Sequence, residues 1–168
     1  IHPLEGLAFT AQLFFQGESE GGERALAEKY AYELALLVAD ERQRFATGFP
    51  FYNVQLSSYR EEGAAFFPWL DIIRMQQFDA QRLIPDSTLT VDMDLGAPEG
   101  YPDWAHSPRK LELAERLAAL VLARQYGIGN EREVVSPMPA AAYRAADGKS
   151  VTVEFENVGA GLTVSGHD

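Results

Sequence analysis

Residues 51–56 read Phe51-Tyr52-Asn53-Val54-Gln55-Leu56, a short uncharged run set off by Phe49-Pro50. Proline ends a helix and biases the residue before it toward extended backbone. The aromatic and β-branched side chains behind it then predict a buried strand. Helical patterns flank this strand on both sides. Upstream, residues 23–45 carry Leu26, Tyr30, Leu34 and Leu37 at helical spacing, which predicts one long helix with these four as its buried stripe. Downstream, residues 69–83 place Leu70, Ile73 and Gln77 on one helical face.

The same alternation extends outward. Residues 7–15 form an uncharged run ending in Leu13-Phe14-Phe15, a predicted strand that stops at the glycine-rich turn 16–22. Leu89, Val91, Met93 and Leu95 alternate with Thr90, Asp92 and Asp94, a period of two that predicts a third strand with both aspartates on one face. A loop over 96–107 leads to a helix over 108–125. Ser107 is placed to cap it, Pro108 suits its first position, and Leu113, Leu117, Leu120 and Val121 supply its apolar face. Strand and helix thus alternate three times over residues 1–127. That order predicts an α/β architecture, a parallel sheet flanked by helices, with ligand chemistry at the carboxyl ends of the strands.

The character changes at Gly127-Ile128-Gly129-Asn130. Val134-Val135, residues 150–155 and Leu162-Thr163-Val164 are β-like, with a turn at Asp147-Gly148. Too few strands are present to close a sandwich. Residues 128–168 therefore read as a short β-rich segment, the opening of a second domain.

Composition narrows the function classes. Fourteen basic and 25 acidic residues give a formal charge of -11, which repels phosphate backbones and argues against nucleic acid as a partner. No apolar stretch reaches membrane-spanning length, and no signal peptide is visible at Ile1. There is no cysteine, so disulfides, zinc-thiolate sites and cysteine nucleophiles are all excluded.

Among the three histidines, His2 and His167 lie at the chain ends, whereas His106 follows a predicted strand and precedes a helix. Asp103, three residues earlier, can fold back onto one ring nitrogen, fix the tautomer and leave the other nitrogen as a base. The plainer alternative is a surface histidine near a helix start. Gly17-Glu18-Ser19-Glu20-Gly21 matches the Gly-x-Ser-x-Gly nucleophile elbow, and Ser19, Asp103 and His106 even keep the hydrolase chain order. Two flanking carboxylates, however, disfavour a serine alkoxide and an oxyanion. Ser19 is instead expected to cap the helix that begins near Glu23. Asp92 and Asp94 could pair as metal ligands or acids, but polar residues on a half-exposed strand explain them as well.

Taken together, Leu13-Phe14-Phe15-Gln16-Gly17-Glu18-Ser19, Phe49 through Leu56, Asp94-Leu95-Gly96, Asp103 through His106 and the helix from Lys110 to Leu117 resemble the sialate O-acetylesterase family. These are carbohydrate esterases of the SGNH superfamily. Gly159-Ala160-Gly161-Leu162 resembles the entry to the β-domain that follows their catalytic region.

The resemblance implies an SGNH/flavodoxin-like sheet, here incomplete, and deacetylation of O-acetylated sialic acid or another acetylated sugar. It implies His106 as general base, Asp103 as its orienting acid and Gln16 as an oxyanion donor, without metal or cofactor. The family's nucleophile lies in a Gly-Gln-Ser-like turn that this sequence does not contain. The resemblance thus predicts a complementary N-terminal part as partner, in a secreted or periplasmic protein. Glu20 stands where the family usually has Asn or Asp, and Trp104-Ala105 where it often has Ile before His. Two other readings remain: an esterase using Ser19, and a carbohydrate-binding module that has lost its nucleophile.

Overall fold

A computed structural model describes residues 2–59, 65–103 and 105–162. Strands β1 (Gln12–Phe14), β2 (Phe51–Gln55) and β3 (Ser87–Val91) form a parallel sheet in that spatial order. Tyr52 lies opposite Leu13 on one side and Thr88 on the other. Helices α1 (Arg24–Ala27) and α2 (Tyr30–Phe45) connect β1 to β2, and α3 (Leu70–Leu83) connects β2 to β3. Helix α4 (Lys110–Tyr126) follows β3, and Gly127 ends it in the left-handed conformation at φ 65°, which glycine adopts without a Cβ penalty. A short helix α5 (Glu131–Val134) and an antiparallel hairpin, β4 (Met138–Arg144) with β5 (Val151–Glu156), complete the described chain.

The central strand is buried on both faces, as expected for a parallel sheet under helices. Phe51, Tyr52 and Val54 are fully inaccessible. On one face, Phe51 packs with Tyr30, Leu34 and Val38 of α2 and with Leu70 and Ile73 of α3. On the other, Val54 meets Leu95 and Leu113, with Leu117 against them. Each such buried side chain contributes about 1.5–3 kcal/mol relative to exposure. Helix α4 covers this second face beneath β2 and β3, while Leu13 of β1 remains half exposed there.

Several boundaries differ from expectation. The first strand spans three residues, Gln12–Phe14, well short of the uncharged run over 7–15. The helix over 23–45 is interrupted at Glu28-Lys29, although the buried side chains on either side keep one helical register. The buried stripe is Ala27, Tyr30, Ala31, Leu34 and Val38, whereas Leu26 and Leu37 are exposed. The third strand stops at Val91, and Met93–Leu95 forms a 3-10 turn, so Asp92 and Asp94 do not share a strand face. Thr88, Leu89 and Thr90 are all buried because β3 is covered on both faces. Val134 belongs to a helix capped by Asn130, whose side chain accepts from the Arg132 N–H. Strand β4, with its run of alanines, gave no β signal in the sequence. Leu162 lies outside the strands, and Thr163-Val164 fall outside the described residues.

Candidate active site

The loops at the carboxyl ends of the strands converge on a cleft of about 470 Å³, lined by Glu18, Ser19, Tyr59, Phe67, Asp103, Ala105 and His106. Asp103 opens a tight turn. Its Oδ1 accepts the backbone N–H groups of Ala105 at 2.9 Å and His106 at 3.0 Å. Its Oδ2 lies 2.8 Å from Nδ1 of His106. A carboxylate can only accept, so Nδ1 carries a proton, and in the neutral ring the lone pair then lies on Nε2. The His106 backbone N–H, then its ring, then the Ala105 N–H hold the Asp103 carboxyl down at about 2. The imidazole is three-quarters exposed, open to an incoming group. The pairing anticipated from the Asp-x-x-His spacing is thus formed.

Ser19 reaches the same cleft from the turn after β1. It begins a 3-10 turn, Ser19–Gly22, and does not cap the following helix: Glu23 occupies the N-cap of α1 without a side-chain hydrogen bond. The 3-10 turn inserts four residues before the helix, too many for a capping contact from Ser19. Tyr59 joins the cleft from the segment after β2, a residue the sequence did not single out because it lies beyond the strand signal. Burial, and secondarily the Glu18 carboxylate, push its phenol pKa up.

Gln16 is oriented differently. Its amide nitrogen donates to Glu20 Oε2 at 2.8 Å, and it lines a separate small depression with Phe14, Leu34 and Leu37. The structure therefore brings Asp103 and His106 together but commits the Gln16 amide to Glu20. The bend that separates them depends on Gly17. At φ 140°, a Cβ there would sit 3.0 Å from Ile73 Cγ2 and 3.1 Å from the Tyr30 hydroxyl, so only glycine fits.

Asp92 and Asp94 take unrelated environments. Asp94 pairs with Arg116 through both carboxylate oxygens, at 2.8 and 2.5 Å. Asp92 is 1% exposed, and its carboxylate oxygens have no hydrogen-bond partner among the described residues. Burial pushes it up to about 6, opposed by Lys110 and Arg116. Among the described residues, no cluster of three or more metal-ligating side chains occurs. No described helix is long and apolar enough to cross a membrane. A larger hollow beside Asp94, Glu115 and Arg116 contains no histidine. His167 and Trp104 lie outside the described residues.

A solved carbohydrate acetylesterase from Xanthomonas citri superposes on this chain with a TM-score of 0.75 and 24% sequence identity. The chain has that esterase's fold. The match covers 93% of this chain and 34% of the esterase, so the chain spans about a third of that protein's length. No family model matches the sequence, and no curated protein matches it.

Proposed function

We propose that the chain carries the base and the orienting acid of a carbohydrate O-acetylesterase acting by serine acyl transfer. The observation that carries this reading is the Asp103–His106 pair, hydrogen-bonded at 2.8 Å with its imidazole open to a cleft at the carboxyl ends of parallel strands. The similarity in fold to a carbohydrate acetylesterase supports it. In the reaction, a serine hydroxyl attacks the acetyl carbonyl carbon while His106 Nε2 takes its proton. His106 then returns that proton to the departing sugar oxygen, leaving an acetyl-enzyme. A water molecule, deprotonated by the same nitrogen, releases acetate. Asp103 keeps Nδ1 protonated throughout. The substrate is O-acetylated sialic acid or another acetylated sugar.

The serine is supplied by a segment outside this sequence. Among the described residues, strand β1 is paired on one side only, with Leu13 54% exposed and Phe15 37% exposed. A further parallel strand laid against it would end beside the cleft. Residues 1–127 are then part of the esterase domain and residues 128–168 begin the next unit.

A second reading uses Ser19, favoured by its position in the same cleft as His106. Glu18 and Glu20 flank it and oppose an alkoxide. Hydrolysis of p-nitrophenyl acetate separates the two. The preferred reading expects this chain to be nearly inactive, Ser19→Ala to change nothing, and activity to appear when upstream sequence containing a Gly-x-Ser turn is restored. Robust activity of the chain that disappears in Ser19→Ala would establish the second reading instead.

A further inference from the structure

Gln77 is a polar residue on the apolar stripe of α3, fully buried in line with Leu70, Ile73 and Ala80. Such a position tolerates an amide only if its hydrogen-bonding groups are satisfied. Its Oε1 accepts the Leu56 N–H at 2.9 Å. Its Nε2 donates to the Gln16 carbonyl at 3.0 Å and the Val54 carbonyl at 3.2 Å. These contacts lie just past Phe14 and Asn53, the last paired residues of the ladder between β1 and β2.

The position matters because each backbone runs on into the cleft, the first to Glu18 and Ser19, the second to Tyr59. Neighbouring groups reinforce both grips. The Tyr30 hydroxyl donates to the same Gln16 carbonyl at 2.7 Å. Arg74, one turn earlier on α3, donates to the Leu56 carbonyl at 3.0 Å and to the Ser57 carbonyl. A trans peptide is planar, so fixing the Gln16 carbonyl also fixes the Gly17 N–H on the opposite side.

We propose that Gln77 is a positioning residue for the cleft: one buried amide sets, together, the two loops that present Glu18-Ser19 and Tyr59 to His106. Its relevance to acyl transfer rests on the esterase reading, but the coupling of the two loops does not. A misplacement of about 1 Å in such loops costs on the order of 10²-fold in rate.

The test is amide-resolved NMR of the whole chain, comparing Gln77→Met with Val38→Ala, a core truncation elsewhere in the same cluster. Gln77→Met keeps length and removes all three hydrogen bonds. Amide signals of Gly17 to Ser19 and of Ser57 to Tyr59 should shift or broaden together in Gln77→Met, with those of Val151 to Glu156 unchanged. Val38→Ala should leave both loops in place. Equal loop perturbation by Val38→Ala, or movement of one loop alone, overturns the proposal.

Gln77→Glu guards against a variant that does not fold. Its carboxylate repels the Gln16 and Val54 carbonyls, whereas its protonated form restores one donor and one acceptor. Loop signals should therefore return toward wild type on acidification, and failure to return also overturns the proposal. None of these readouts needs ester turnover, so an inactive chain sinks the esterase reading without touching this one. In a preparation that does hydrolyse p-nitrophenyl acetate, Gln77→Met should lower kcat at least about tenfold with KM little changed.

Discussion

Asp103 binds residue His106 twice, through the backbone N–H at 3.0 Å and through the ring Nδ1 at 2.8 Å. The backbone contact closes the turn and the ring contact orients the base, so a three-residue spacing suffices to build both. Because the carboxylate is held by fixed N–H groups rather than by the ring alone, it keeps its place when the imidazole protonates.

Replacing Asp103 by Asn should therefore damage turnover more than binding. In the assembled esterase, Asp103→Asn is expected to lower kcat on an acetyl ester by about 10²–10⁴-fold, and His106→Ala by at least as much. Steady-state kinetics on p-nitrophenyl acetate check this. Near wild-type kcat in either variant removes the pair from the reaction.

The same hydrogen bonds carry a pH signature. The folded Asp103 carboxyl sits at about 2, below its ordinary 3.8. Folded protein binds fewer protons than unfolded protein in that window, so this stabilisation is complete above about pH 4 and is lost as pH falls toward 2. Acid unfolding monitored by circular dichroism should show a shallower dependence in Asp103→Ala between these values. An unchanged acid limb would contradict the pairing.

Asp92 works in the opposite sense. Its folded pKa of about 6 lies above 3.8 because burial penalises the charge. Folded protein holds the extra proton between these values, so stability declines as pH rises through the window and is flat above it. Asp92→Asn, which removes the buried charge at nearly equal size, should stabilise the chain at pH 8 by about 1–3 kcal/mol. Urea denaturation at pH 4 and pH 8 decides it: the gain must shrink at the lower pH.

Gln16 presents a conditional role. Its amide is bound to Glu20 at 2.8 Å, so service as an oxyanion donor requires it to leave that carboxylate. If it does so during turnover, Gln16→Ala lowers kcat about 10²-fold with KM nearly constant. A change confined to KM would place Gln16 in substrate binding instead.

The free edge of β1 predicts association. Leu13 is half exposed on a strand whose outer side has no partner among the described residues. Such edges recruit other chains. The chain expressed alone should be poorly soluble or elute above its monomer mass, and Leu13→Lys should shift it toward monomer on size-exclusion chromatography. A sharp monomer peak for the unmodified chain would argue against an open edge.

Local sequence determined much of this protein. The proline before Phe51, the uncharged run through Leu56 and the alternation of strand with helix suffice for a parallel α/β sheet, because each depends on short-range periodicity. The Asp103–His106 contact was legible for the same reason: both groups lie within one turn. Leu26 and Leu37 were misplaced in the core because apolar residues flank the true stripe on both sides, and only packing against the sheet selects the face carrying Ala27, Ala31 and Val38. Tertiary structure alone decided the rest. It buried Asp92 and exposed Asp94 by ending β3 at Val91. It brought Ser19 and Tyr59 beside His106 and set Gln77 across the ends of two strands. These are contacts between residues far apart in the chain, fixed by how helices pack on the sheet, and no spacing along the sequence encodes them.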